Sequence, residues 1–117
     1  RSGHKDHGRQ NQIEGKMEPG TKVVVIEDLI STGGSVLEVV DVLRQAGAQV
    51  LGIASIFTYG LQKGVERLAA ADVVNYSLSD FDTLSKVAAA EGYIADKDIA
   101  KLTAFQKNPQ DPAWMEL

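Results

Sequence analysis

Between Lys22 and Gly47 the hydrophobic pattern changes period, and that change restricts the fold more than any other feature of the chain. Lys22-Val-Val-Val-Ile26 is a continuous β-branched run, which predicts a strand covered on both faces in a parallel sheet. From Gly34 onward Val36, Leu37, Val40, Leu43 and Ala46 recur at helical spacing, and Gly47 supplies a left-handed stop. The alternation then repeats, with a strand over Val50–Phe57, a helix over Leu61–Ala71 and a short strand over Val73–Tyr76. Ser79 or Asp80 can cap a helix running to Glu91, and Asp96 can cap another with Ile99, Leu102 and Phe105 on one face. Asn108–Leu117, with Pro109 and Pro112, reads as an irregular tail. Strands and helices alternating over short connections predict a right-handed parallel α/β sheet.

A length of 117 residues suits one domain rather than two. The expected organisation is a single unit over 1–117, with a flexible loop at 1–16, an α/β core over 22–108 and a tail at 109–117. Three strands make a narrow sheet, and the first follows a long polar loop that has no initiator Met. The chain is therefore expected to be the back part of something longer. Runs such as Val23–Ile26 and Gly52–Phe57 fall far short of the ~20 apolar residues of a membrane span, so no membrane partner is expected. The absence of cysteine excludes disulfides, thiolate metal sites and cysteine nucleophiles, and is compatible with a reducing cytoplasm. A net charge of −4 speaks against nucleic-acid binding, which needs a basic face. Yet Arg1, Lys5, Arg9, Lys16, His4 and His7 crowd the first sixteen residues against only Asp6 and Glu14. A locally basic segment on an acidic protein points to a small anionic ligand.

The informative string is Val24-Val25-Ile26-Glu27-Asp28-Leu29-Ile30-Ser31-Thr32-Gly33-Gly34-Ser35. It predicts a buried strand ending in two carboxylates, then a short hydroxyl- and glycine-rich loop that opens a helix. In open α/β sheets ligands bind beyond the carboxyl ends of strands, and a helix N-terminus favours an anion. Gly33 and Gly34 let the backbone approach a phosphate, while Thr32 and Ser35 add hydroxyl donors. Ionised Glu27 and Asp28 only accept hydrogen bonds, which matches the vicinal hydroxyls of a ribose phosphate. The blander alternative is a helix capped by Ser31 or Thr32, with the two acids solvated. Neither a Gly-Lys-Ser nor a G-x-G-x-x-G loop is present. His4 and His7 stand at helical spacing, but Gly3 and Gly8 disfavour a helix there, so a metal site is not expected.

That string resembles the phosphoribosyl diphosphate (PRPP) motif of type I phosphoribosyltransferases, and Glu27-Asp28 through Ser35 is similar to the orotate phosphoribosyltransferases in particular. Arg1-Ser2-Gly3-His4-Lys5-Asp6-His7-Gly8 resembles that family's flexible catalytic loop. Asn11–Gly15 and Ile56–Tyr59 agree with it. The resemblance implies the parallel-sheet, Rossmann-like type I fold, here apparently lacking its N-terminal half. It also implies transfer of 5-phosphoribosyl from PRPP to orotate, giving orotidine 5′-monophosphate and diphosphate in pyrimidine (UMP) biosynthesis. Mg²⁺ would be held mainly by PRPP rather than by protein ligands. By the same resemblance Arg1, Lys5 and His7 are the catalytic candidates, closing over the diphosphate from the partner subunit of a homodimer. Glu27, Asp28, Leu29, Ile30, Ser31, Thr32, Gly33, Gly34 and Ser35 are the substrate-binding candidates, with the acids toward the ribose and Ser31 also reaching orotate. Ser2 departs from the family where many relatives carry another basic residue, as does Tyr59 where some carry an arginine. Other readings are a PRPP-binding regulatory or inactive module and a purine-type phosphoribosyltransferase. Phe57, Tyr76, Tyr93, Phe105 and Trp114 are read as core or interface aromatics.

Overall fold

A computed structural model of the chain describes residues 13–117. Arg1, Lys5 and His7 lie outside the described residues. The elements alternate as the hydrophobic periods require: β1 (Lys22–Ile30), α1 (Gly34–Gln45), β2 (Gln49–Thr58), α2 (Gln62–Ala70), β3 (Asn75–Asp80), α3 (Phe81–Ala90) and α4 (Asp98–Lys107). The three strands form one parallel sheet in the order β1-β2-β3. Both crossovers step in the same direction, so right-handedness puts α1 and α2 on the same face. There Val25, Ile30, Val36, Val40, Ile53 and Val73 form the core, with Leu37, Leu43, Leu68 and Ala71 packed around them. At that end of the pair Arg44 of α1 donates to the carbonyls of Ala71 (2.7 Å) and Asp72 (3.1 Å), tying α1 to the end of α2. Gly47, with φ +93°, terminates α1 as its position in the sequence predicts.

Several expectations are corrected. β1 does not end at the two carboxylates but runs on to Ile30. Its ladder with β2 continues through Glu27↔Ser55, Leu29↔Phe57 and Ile30↔Thr58, because a long parallel partner keeps pairing past the apolar run. Nor is β1 covered on both faces. Val24 and Ile26 are 51% and 77% exposed, and Ile56, Tyr76 and Leu78 of the neighbouring strands are also exposed. Ile26, Ala54 and Tyr76 are aligned across the sheet, so these side chains make one bare apolar face. The physical reason is the shared direction of the crossovers: among the described residues no helix lies on that side. The third strand begins at Asn75 and runs to Asp80, later than Val73–Tyr76, and Val73 belongs to the core beneath it. Lys97, not Asp96, stands at the start of α4.

The tail is not irregular: Pro112–Glu116 forms a 3-10 turn, with Asp111 capping it through the Ala113 N–H. An aromatic chain fastens it down. Phe57, Tyr59, Phe81, Phe105 and Trp114 follow one another with ring centroids 5.4, 5.7, 6.1 and 5.3 Å apart. Tyr76 and Tyr93 are exposed, which removes the core half of the core-or-interface reading for these two. No helix of the described residues is long and apolar enough to cross a membrane.

The start of α3 supplies a pH-dependent test. Asp80 accepts the Thr83 N–H at 2.7 Å, and this bond holds its carboxyl below the ordinary aspartate value of 3.8. A lowered carboxyl pKa stabilises the fold above the unfolded value and loses that stabilisation as the pH falls through the folded one. Asp80→Ala is expected to lower the melting temperature at neutral pH, with the difference from wild type shrinking below pH 3.8. A melting series against pH that showed a constant difference would remove the charged cap.

Candidate functional site

The site forms where β1 ends and α1 begins. Ile30 is 2% exposed and anchors the strand end in the core, so the chain must turn within Ser31-Thr32-Gly33 to reach the helix. Gly33 makes the turn possible. It occupies the helix N-cap position with φ +86°, a left-handed conformation that costs an L-residue with a Cβ roughly 1–2 kcal/mol. Neither Ser31 nor Thr32 caps the helix: among the described residues no side chain accepts a hydrogen bond from this end, and the first turn contains no acidic residue. The first intrahelical bond is Leu37 N–H to the Gly33 carbonyl, at 3.0 Å. The capped-helix alternative is thereby set aside. An uncapped N-terminus without a carboxylate concentrates donor groups and positive potential, and suits an anion.

The remaining members of the string divide around this turn. Glu27, Asp28 and Leu29 share with Ser35 a recess of about 530 Å³ along the outer edge of β1. Ile30 and Ser31 instead border a second, largely apolar cavity of about 410 Å³ beneath α2, with Thr58, Leu61, Gly64 and Leu68. Thr32, Gly33 and Gly34 form the turn between these spaces. Since Ile30 is a core residue, its side chain supports the turn and does not face solvent.

The two acids are not equivalent, because successive strand residues alternate faces. Glu27 is half-buried and Asp28 exposed. Glu27 Oε1 accepts the Asp28 backbone N–H at 3.0 Å. Burial, followed by the neighbouring Asp28 carboxyl, raises the Glu27 pKa above its ordinary value of 4.5. Glu27 also sits in register with Ser55, which is 4% exposed and bonds to both Asn75 and Ser77. A half-buried acceptor next to a dry, polar-lined stretch of sheet is suited to a hydroxyl-bearing ligand. Among the described residues no group of three or more His, Cys, Asp or Glu side chains is gathered as a metal site.

The sequence did not reveal two neighbours of the turn, Gly64 and Arg67 of α2. A Cβ at Gly64 would lie 2.7 Å from the Ser31 carbonyl oxygen, and Arg67 reaches the Thr32 carbonyl at 3.4 Å. Lys63-Gly64 inside a helical pattern was a signal for close backbone approach, but nothing in the sequence named the partner.

Comparisons with known proteins agree with this geometry. A family profile described as the phosphoribosyl transferase domain matches residues 3–88. An orotate phosphoribosyltransferase of Bacillus cytotoxicus is 58% identical over 115 residues, covering 98% of this chain and 55% of that protein. The chain thus spans about half the length of the curated relatives it matches. Among solved structures, Leishmania donovani UMP synthase aligns with TM-score 0.65 and 26% identity, over 80% of this chain and 21% of that one. Mycobacterium tuberculosis orotate phosphoribosyltransferase, in complex with inorganic phosphate, aligns with TM-score 0.56 and 28% identity, over 66% and 45% of the two chains.

The raised pKa of Glu27 yields a signed prediction. A carboxyl whose folded pKa exceeds its unfolded value is destabilising when ionised, fully above the folded pKa and not at all below the unfolded one. Glu27→Gln should therefore stabilise the free protein at neutral pH, and the gain should vanish as the pH falls to 4.5. Denaturant titrations at several pH values check this; destabilisation at neutral pH would show that the ionised carboxylate supports the fold.

Proposed function

The chain belongs to the phosphoribosyl transferase domain family, and on that footing we propose that it carries the sugar-phosphate half of an orotate phosphoribosyltransferase. The reaction joins N1 of orotate to C1 of the ribose of PRPP as the C1–diphosphate bond breaks. Orotidine 5′-monophosphate and diphosphate result, a step of pyrimidine biosynthesis. What carries the reading is the uncapped start of α1 after left-handed Gly33, set beside a recess that holds two carboxylates.

In this reading the Thr32–Ser35 amides and hydroxyls hold the ribose 5-phosphate. Glu27 and Asp28 accept hydrogen bonds from the ribose hydroxyls and offset the positive charge that grows on the ring as the leaving group departs. Ser31 borders the neighbouring cavity, which supports a role for it toward the base. Arg1, Lys5 and His7 meet the negative charge on the diphosphate: Arg by paired donors, Lys as a fixed charge, His by a hydrogen bond or a proton. Closure of their segment, from the partner subunit of a dimer, would keep water from the sugar cation. The hard oxygen donors Glu27 and Asp28 fit a Mg²⁺ that arrives on PRPP, with no protein cluster required to hold it. The charge on the leaving diphosphate would be partly neutralised by such an ion when bound. The bare apolar face of the sheet, and the edge of β1 that pairs with no described strand, are where the further polypeptide present in the relatives would pack. A reducing cytoplasm is the proposed setting.

Three measurements test this. Ribose 5-phosphate should shift the amide resonances of Thr32–Ser35, and Asp28→Asn should weaken that binding while leaving the melting temperature unchanged. Shifts confined to some other part of the chain would sink the assignment. In a protein of the relatives' full length, Lys5→Ala and His7→Ala should each lower turnover on the order of a hundredfold, with smaller effects on orotate binding. Unchanged turnover in both would remove that segment from catalysis. The 117-residue chain alone should form no orotidine 5′-monophosphate; measurable product would show that the half carrying Glu27–Ser35 is sufficient.

A further inference from the structure

We propose that Gly64 and Arg67 of α2 are positioning residues that aim the backbone amides of the turn at the phosphate. This rests on the sugar-phosphate reading of the site. A trans peptide is planar, with its C=O and N–H pointing in opposite directions. Fixing a carbonyl therefore fixes where the next amide points. Two successive carbonyls of the turn face α2. The Ser31 oxygen lies against Gly64, where a Cβ would come within 2.7 Å of it. The Thr32 oxygen accepts from Arg67 Nη1 at 3.4 Å. The amides that follow those carbonyls, on Thr32 and Gly33, must then point away from α2.

Gly64 is needed here for closeness, not for conformation. It is buried inside a regular helix, and its Cα hydrogen takes the place where a methyl group would strike backbone. Either α2 or the turn would have to give way to that methyl. α2 is held at both ends, by buried Leu61 before it and by Arg44 on the carbonyls of Ala71 and Asp72 after it. The turn is held by no strand ladder, so the turn moves. Arg67 adds charge as well as geometry: its guanidinium lies 3.6 Å from where a Cβ of Gly34 would be, so a cation stands behind the first helical residue. An anion on the opposite side of the turn is attracted by it without touching it.

The test uses the intact protein with ribose 5-phosphate as the probe, reading both affinity and backbone amide exchange. Gly64→Ala should weaken binding at least about tenfold, the size of losing one hydrogen bond to a charged group. It should also speed exchange at Thr32–Ser35 while leaving β2 amides unchanged. Arg67→Met should weaken binding in the same way, and Arg67→Lys should recover part of it, because the charge is kept and the geometry is not. Wild-type affinity and wild-type exchange in both Gly64→Ala and Arg67→Met would overturn the proposal. If Gly64→Ala loses protection throughout the chain, the variant Arg67→Met, at a half-buried position, decides by the same two readings. Should the wild-type protein not bind ribose 5-phosphate, the sugar-phosphate reading fails. Exchange at Thr32–Ser35 in the two variants then still shows whether α2 holds the turn.

Discussion

A helix that starts without a side-chain cap leaves its first amides in need of an acceptor, and the rest of this structure is arranged around that need. α1 begins directly after Gly33, with neither Ser31 nor Thr32 turned back to satisfy it. Capping hydroxyls in such a position commonly contribute about 1 kcal/mol to a helix, so leaving them unused costs stability. That cost is tolerable where a ligand supplies the missing acceptor. The parallel ladder of β1 and β2 fixes the turn's point of departure by continuing to Ile30↔Thr58. The core packing of Val36 and Val40 then fixes the direction in which α1 leaves. Between these two packed elements the turn spans only Ser31-Thr32-Gly33, and α2 restrains it from behind.

The same topology explains the asymmetry of the sheet. Two crossovers in the same direction cover one face and leave Val24, Ile26, Ile56, Tyr76 and Leu78 bare on the other. Apolar side chains of this kind are worth roughly 1.5–3 kcal/mol each when buried, and in this row that stabilisation is not realised within the described residues. At the far side, the aromatic chain from Phe57 to Trp114 binds α3, α4 and the tail to the end of β2. It stiffens the carboxyl ends of the strands, the end at which the site lies.

Legibility differed among the elements for physical reasons. α1, α2 and α3 could be read closely, because helical spacing, Gly47 and Asp80 are local signals that act within a few residues. The end of β1 could not. Two adjacent acids look like the end of a strand, but pairing carries β1 on through Leu29 and Ile30 and is settled by a partner more than twenty residues away. The start of β3 was displaced for a similar reason: Val73 is apolar enough for a strand, yet it is used as core packing ahead of the ladder. Asp96 has the right chemistry for a cap, but backbone carbonyls take the amides it would bond: Asp98 N–H goes to Ala95 and Ile99 N–H to the carbonyl of Asp96 itself.

By itself the sequence determined the alternation of strand and helix, the presence of a glycine where φ must be positive, and the placing of two acids and three hydroxyls around one turn. These follow from periodicity and from residue chemistry, which act along the chain. Only the tertiary structure decided that the acids lie on a paired strand and that Glu27 alone is partly withdrawn from water. It also decided that one face of the sheet is bare and that Gly64 and Arg67 stand behind the turn. Those outcomes depend on which distant segments meet, and sequence spacing carries no record of such meetings until the chain has folded.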